Sequence, residues 1–329
     1  MKRFIKSVVT QPFIFPVIKH FKRGATVLCY HGVEEQIINP YVQEIHMALT
    51  EFEKQISLIK KHFEVISLDY LYELLNDNKR IDPRQIVITF DDGYLNNYTI
   101  AAPLLEAHNM AFSIFLSTNH IETRERFPMY KMLCAVYHCT TNKICLSSLN
   151  NKYDVSTLDK QIVTAAKIKN VLKTSGRELH YKIIDELSDL LPDEQWNELN
   201  EKYLSDKPMK WEKAYELSRK GVTIGSHGHD HIILHDKQSM KETIYQIKES
   251  KNTIEQYIGE CKYFAFPNGT SSDINSHALR YLPEVGYKAA LSMIPGNVKE
   301  GANGYMIPRL NAPKSCLSLK ARLLKSVMN

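Results

Sequence analysis

Residues 86–94 read Ile-Val-Ile-Thr-Phe-Asp-Asp-Gly-Tyr, and this stretch limits the fold more than any other. A β-prone, mostly apolar run without strict alternation marks a strand buried on both faces, as in a parallel sheet covered by helices. It ends abruptly in two adjacent carboxylates and a glycine. Successive side chains of a strand point to opposite faces, so Asp91 and Asp92 cannot both idle on one surface. At the carboxyl end of such a strand, one can hold a metal ion while its neighbour handles a proton. The competing reading is a strand cap, since Asp-Gly is a common turn.

The rest of the chain repeats the strand-then-helix rhythm. Residues 25–30 form a first strand that runs into His31-Gly32. Thr50-Glu51-Phe52-Glu53 reads as a capping box, opening a helix with Phe52, Ile56, Ile59 and Phe63 on one face. Residues 63–66 are a short strand, after which Ser67 caps a helix to about residue 75. Residues 97–108 are helical and 111–116 form another apolar strand. The rhythm resumes with a helix at 211–220, a strand at 222–225 and a long helix starting near Ser239. Met240, Ile244, Ile247, Ile254 and Ile258 mark the buried face of that helix, and Gly259 stops it. Strands at 263–266 and 287–291, a helix at 276–282 and residues 306–309 close the core. Alternation of this kind defines a parallel α/β architecture, open or closed into a barrel. Residues 119–208 break it. They are polar and mostly helical, and read as an insertion in one domain spanning 25–329.

The 329 residues carry 42 Lys and Arg against 37 Asp and Glu, a mild formal charge of +5. No basic stripe interleaved with aromatics points to nucleic acid. The cysteines are scattered without a CxxC pair and read as reduced thiols of a cytoplasmic protein, with Cys29 as core. Residues 1–24 form a basic and aromatic arm. Its apolar part is short and broken by Pro12 and Pro16, unlike a secretory signal or a spanning helix. It reads either as a contact with an anionic membrane surface or as a loosely packed arm. The basic, amphipathic segment 317–328 has the same two readings.

A second chemical signal is Ser226-His227-Gly228-His229-Asp230-His231, directly after a strand. Imidazole nitrogens with one carboxylate oxygen suit a divalent transition metal and leave positions open. In parallel α/β folds, sites gather at the carboxyl ends of strands, where His31, Asp91 and Asp92 and this cluster all fall.

Together, residues 89–93 (Thr-Phe-Asp-Asp-Gly) and 226–231 resemble the first two motifs of the NodB-type polysaccharide deacetylases, carbohydrate esterase family 4. Tyr30-His31-Gly32-Val33 and Phe264-Ala265-Phe266-Pro267-Asn268-Gly269 are similar to the same family. They suggest its branch related to poly-N-acetylglucosamine deacetylases, with partly permuted motifs. The resemblance implies a distorted (β/α)7 barrel, with the helical insertion outside it. It implies Asp92, His227 and His231 as ligands of a divalent metal, Zn2+ first among the candidates. Asp91 would be the general base and His31 the general acid. Tyr94, Pro267, Asn268 and Arg309 would serve substrate binding. In this set, Asn268 would offer a backbone N–H to the oxyanion and Pro267 would shape the acyl pocket. His229 falls at a variable position.

The sequence departs from the family at Ala265, where many members carry an arginine that orients the base. Arg309 is either its substitute or a structural ion-pair residue. The expected function is removal of an N-acetyl group from an amino sugar, in a surface polysaccharide or its lipid- or nucleotide-linked precursor. The expected place is the cytoplasm, at the inner face of the membrane, with a carbohydrate or glycolipid as partner. Two other readings are a glycan-binding protein without catalysis and a barrel metallohydrolase using His227 and His229 as its metal pair.

Overall fold

The computed structural model describes residues 23–325. All but the last two residues of the expected N-terminal arm, and the end of the segment 317–328, lie outside them. Seven parallel strands build the core: β1 (Thr26–Tyr30), β2 (Gln85–Phe90), β3 (Phe112–Leu116), β4 (Thr223–Ser226), β5 (Tyr263–Ala265), β6 (Ala289–Leu291) and β7 (Leu310–Asn311). From β1 to β6 each strand pairs with the next in sequence. β7 returns to β1 at Leu28↔Leu310, and Ile307, just ahead of β7, bridges to Leu291 in β6. The sheet therefore curls back on itself as a distorted (β/α)7 barrel. Glu64–Val65 adds a short parallel strand beside the start of β2.

Side-chain alternation sorts the barrel into two layers. Leu28, Tyr30, Ile88, Phe90 and Ile114 pack outward with the surrounding helices. Val27, Val87, Phe115, Ala265 and Leu291 form a second cluster, which also holds Leu68 and Leu71 of the helix Leu68–Asn76. Cys29, Thr89 and Asp91 continue the alternation of Val27 and Val87 on this inner face. That is how a carboxylate comes to stand inside the barrel at the end of β2.

The helices are α1 (Leu49–His62), α2 (Leu68–Asn76), α3 (Ala102–Ala107, led in by a π-helical turn at Asn97–Ala101), α4 (Thr118–Thr123), α5 (Pro128–His138), α6 (Leu158–Thr174), α7 (Arg177–Ser188), α8 (Asp193–Lys202), α9 (Trp211–Arg219), α10 (Met240–Ile258), α11 (Ser276–Glu284) and α12 (Cys316–Lys325). Ser67 and Ser239 cap α2 and α10 through their side chains, and Gly259 ends α10 in a left-handed conformation. Three expectations change. The capping box at Thr50 does not form: Met47 is held in a short strand, α1 starts at Leu49, and Glu51 instead accepts the Cys316 N–H at 2.9 Å. Met240 is 56% exposed, because it occupies the first turn of α10, beyond the buried stripe. The apolar side of α12 is used internally, with Leu319, Leu323 and Leu324 buried in the outer layer.

The insertion holds α4–α8 and is not wholly helical. Lys143–Leu146 and Asn151–Asp154 form an antiparallel hairpin. Ile144 and Leu146 alternate inward along it, joining a separate small core with Val136, Ile168, Ile183 and Leu187. Three side chains tie α6 and α7 to the barrel: Lys169 pairs with Glu44, Lys173 bonds Asn268, and Arg177 meets the buried Asp230 at 3.0 Å.

Candidate active site

The site is assembled by the loops that leave β1, β2, β4 and β5. The Asp91 N–H donates to the Tyr30 carbonyl at 2.9 Å, which prolongs the β1–β2 ladder and keeps the Asp91 side chain inside. The next two residues reverse the chain, with φ of 73° at Asp92 and 81° at Gly93. Left-handed backbone costs a non-glycine residue roughly 1–2 kcal/mol. At Gly93 a Cβ would also lie 2.6 Å from Leu116 Cδ2. The Asp-Asp-Gly sequence is thus what this turn demands, and it swings Asp92 towards the loop after β4.

On that loop, the His227 N–H extends the ladder to Leu116 O at 2.8 Å, and its Nδ1–H donates to the Ala265 carbonyl at 2.7 Å. That bond fixes the tautomer and leaves the Nε2 lone pair facing Asp92 Oδ1 at 3.5 Å. His231, also left-handed at φ 56°, brings its Nε2 to 3.1 Å from the same oxygen. Donor atoms of Asp92, His227 and His231 all lie within 4.8 Å of one another. Asp92 Oδ1 is buried without a properly oriented hydrogen bond. Lone pairs that converge this closely repel each other unless a cation lies between them, so the trio fits a divalent metal with open positions. Burial pushes His227 down to about 4, which favours the neutral imidazole a metal requires.

Cys29, His31 and Asp91 form a second close set. It fits a cation poorly. Both Asp91 oxygens are taken by the Arg309 guanidinium, at 2.7 and 2.8 Å, and the Cys29 Sγ–H donates to Asp91 Oδ2 at 3.3 Å. Burial also pushes the Cys29 thiol well up, away from the thiolate a metal binds. Burial alone would raise Asp91 too, but Arg309 overrides it and holds the carboxyl at about 2. Arg309 is itself fully buried and further fixed by the Ser292 carbonyl at 3.2 Å. It therefore holds Asp91 from the side away from the cavity, as the ion-pair partner of that carboxylate.

His31, Asp91, Asp92, Tyr94, His227, His231 and Asn268 line one cavity of about 440 Å3. Tyr94 packs edge-on against Phe127 and His46. Pro267 is buried beside Gly228 and Arg309 lies behind Asp91, so neither lines the cavity. His229 turns away, with Nδ1 bonded to Thr118 Oγ1 at 2.8 Å. Sequence reasoning missed Cys29 beside Asp91, and Lys169 and Lys173, which reach the cavity from the insertion. The alternation of Cys29 with Tyr30 was the one available signal for the first.

Loss of metal should discriminate between the histidines. His231→Ala is expected to reduce bound metal by an order of magnitude or more, whereas His229→Ala keeps it. Metal content after dialysis reads both, and the reverse order would point to the His227–His229 pair.

A family model for polysaccharide deacetylases matches residues 78–290, and the chain belongs to that family. Its fold is shared with the Streptococcus pyogenes deacetylase PplD in complex with acetate, at 14% identity and a TM-score of 0.60 over 92% of this chain and 99% of that one. IcaB from Ammonifex degensii is similar at 13% identity and a TM-score of 0.58, covering 93% and 98%. The BpsB deacetylase domain from Bordetella bronchiseptica follows at 18% identity and a TM-score of 0.51, covering 87% and 95%. Among curated proteins none matches this sequence.

Proposed function

We propose that the protein is a metal-dependent N-deacetylase acting on an amino sugar, in a surface polysaccharide or its lipid- or nucleotide-linked precursor. The observation that carries this reading is the convergence of Asp92, His227 and His231 beside an arginine-held Asp91 in one cavity. The three residues would hold a divalent cation, Zn2+ first, which when bound supplies Lewis acidity and lowers the pKa of water enough for a weak base to act.

Asp91 is the general base. Arg309 keeps it ionised across the physiological range and fixes both oxygens, so its orientation is set before substrate arrives. His31 stands on the same inner face, with a ring nitrogen within 4.8 Å of the Asp91 carboxylate. It donates a proton to the departing amine. Asn268, left-handed at φ 58°, offers its backbone N–H to the oxyanion. Tyr94 and Asn268 border the sugar, and Pro267 shapes the loop from beneath. The proposal includes work at the inner face of the membrane, supported by the basic and aromatic residues of 1–24. Among the described residues no helix is long and apolar enough to cross a membrane.

The test is acetate release from a panel of N-acetylhexosamine glycans and glycolipids, with bound metal quantified. Turnover is expected with about one metal per chain, lost on chelation and restored by Zn2+. Metal binding without turnover of any substrate would favour a glycan-binding role, and turnover indifferent to chelation would remove the metal from the reaction.

A further inference from the structure

We propose that Lys173, on the insertion, selects an amino sugar that carries a phosphate on its anomeric oxygen or its linkage. This rests on the deacetylase reading and narrows its substrate to the phosphate-linked members, as against a neutral finished polymer.

Lys173 lies near the end of α6 and lines the same cavity as His31, Asp91 and the metal-binding trio. Its Nζ donates to Asn268 Oδ1 at 2.6 Å, and among the described residues it makes no ion pair. The acidic groups facing it are committed elsewhere. Glu44 is paired with Lys169. Asp273 accepts from Asn268 Nδ2 at 2.6 Å and from the Thr270 N–H at 2.9 Å. Lys173 is thus a half-buried ammonium with one neutral acceptor and N–H groups to spare.

A charge held at a cavity wall without a counter-ion is costly until an anion joins it. A lysine ammonium meets phosphate as a point charge and suits one face of a tetrahedral oxyanion. The cleft has the same character farther along. A second cavity of about 250 Å3 shares His31, Glu44 and Asn311 with the first and runs on to Lys314 and Arg322. These bond backbone carbonyls, of Gln43 at 3.5 Å and of Asn311 at 2.6 Å. A neutral polymer leaves all three cations unanswered, whereas a phosphate on the reacting sugar answers Lys173.

The test compares kcat and KM of the full chain for N-acetylglucosamine bearing an anomeric phosphate and for neutral N-acetylglucosamine oligomers. The variants are Lys173→Gln, which keeps an N–H for Asn268 Oδ1 but loses the charge, and Lys173→Met. Wild type is expected to prefer the phosphorylated sugar. Both variants should raise its KM about 10- to 100-fold, the range of one charge-assisted hydrogen bond, and Lys173→Gln, which preserves the bond to Asn268, should leave the neutral substrate unchanged. Equal loss of kcat on both substrates would instead make Lys173 a positioning residue for Asn268 and overturn the proposal, as would wild type without preference. If no substrate releases acetate, the deacetylase reading fails on its own. Calorimetric titration with inorganic pyrophosphate then decides the anion site: binding weakened in Lys173→Gln keeps it, and equal affinity removes it.

Discussion

Asp91→Asn is expected to lower acetate release by about 10²–10⁴-fold, the usual worth of a general base, while bound metal stays in place. The two halves of this result come from separate geometry. Asp91 spends its oxygens on Arg309 at 2.7 and 2.8 Å, whereas the trio proposed to hold the metal uses Asp92, whose side chain is turned away by the left-handed pair at Asp92 and Gly93. Asparagine preserves shape and removes the charge and the proton-accepting oxygen. Stability falls as well, because Arg309 is then fully buried without its counter-charge, and breaking such a pair costs about 3–5 kcal/mol. Activity must therefore be read well below the lowered Tm, beside metal content and a circular dichroism spectrum. Turnover within about tenfold of wild type would remove Asp91 from the base role, since a lost base costs at least 10²-fold. Simultaneous loss of metal would place it among the ligands instead.

What the sequence made legible was local. The apolar run of β2 fixed a buried strand, and the Asp-Asp-Gly that ends it is read directly as the turn with φ of 73° and 81°. The histidine cluster after β4 was visible for the same reason: its residues are neighbours in the chain, and their turn brings His227 and His231 to one oxygen of Asp92. Ser239 announced α10 because a cap acts within one turn. Arg309 was harder to place. Its partner is 218 residues away, and the two meet only because β7, two residues long, closes the barrel beside β1. Nothing near Pro308 signals that closure. Lys173 was hidden in the same way, as one lysine on a polar helix whose approach to Asn268 depends on how the insertion folds over the barrel mouth. The hairpin 143–154 did carry a signal, the alternation of Lys143-Ile144-Cys145-Leu146, masked by the polar helices on either side.

The pairing of Arg309 with Asp91 also predicts how the protein answers pH. In the native protein burial opposes ionisation of Asp91, Arg309 favours it, and the balance lies at about 2, below the ~3.9 of an unfolded aspartate. A depressed carboxyl stabilises the fold fully above its unfolded pKa and loses that contribution as pH falls towards the folded value. Arg309→Met removes the guanidinium and keeps the burial, so the folded pKa rises above the unfolded one and the sign reverses. The Asp91 carboxylate then favours unfolding once pH exceeds ~4, its unfolded pKa. The gap in Tm between wild type and variant, measured on metal-free protein, is therefore expected to be small near pH 3 and to widen towards neutrality, consistent with about 3–5 kcal/mol for a broken buried pair. The same shift moves the acid limb of the kcat/KM profile to higher pH, because a larger share of Asp91 is protonated and cannot accept a proton. Arg309→Lys separates charge from geometry: it returns the positive charge but only one of the two parallel N–H donors, and should fall between the other two proteins in both measurements. A Tm gap independent of pH together with an unmoved acid limb would mean that Arg309 is a packing residue whose charge does not reach the base.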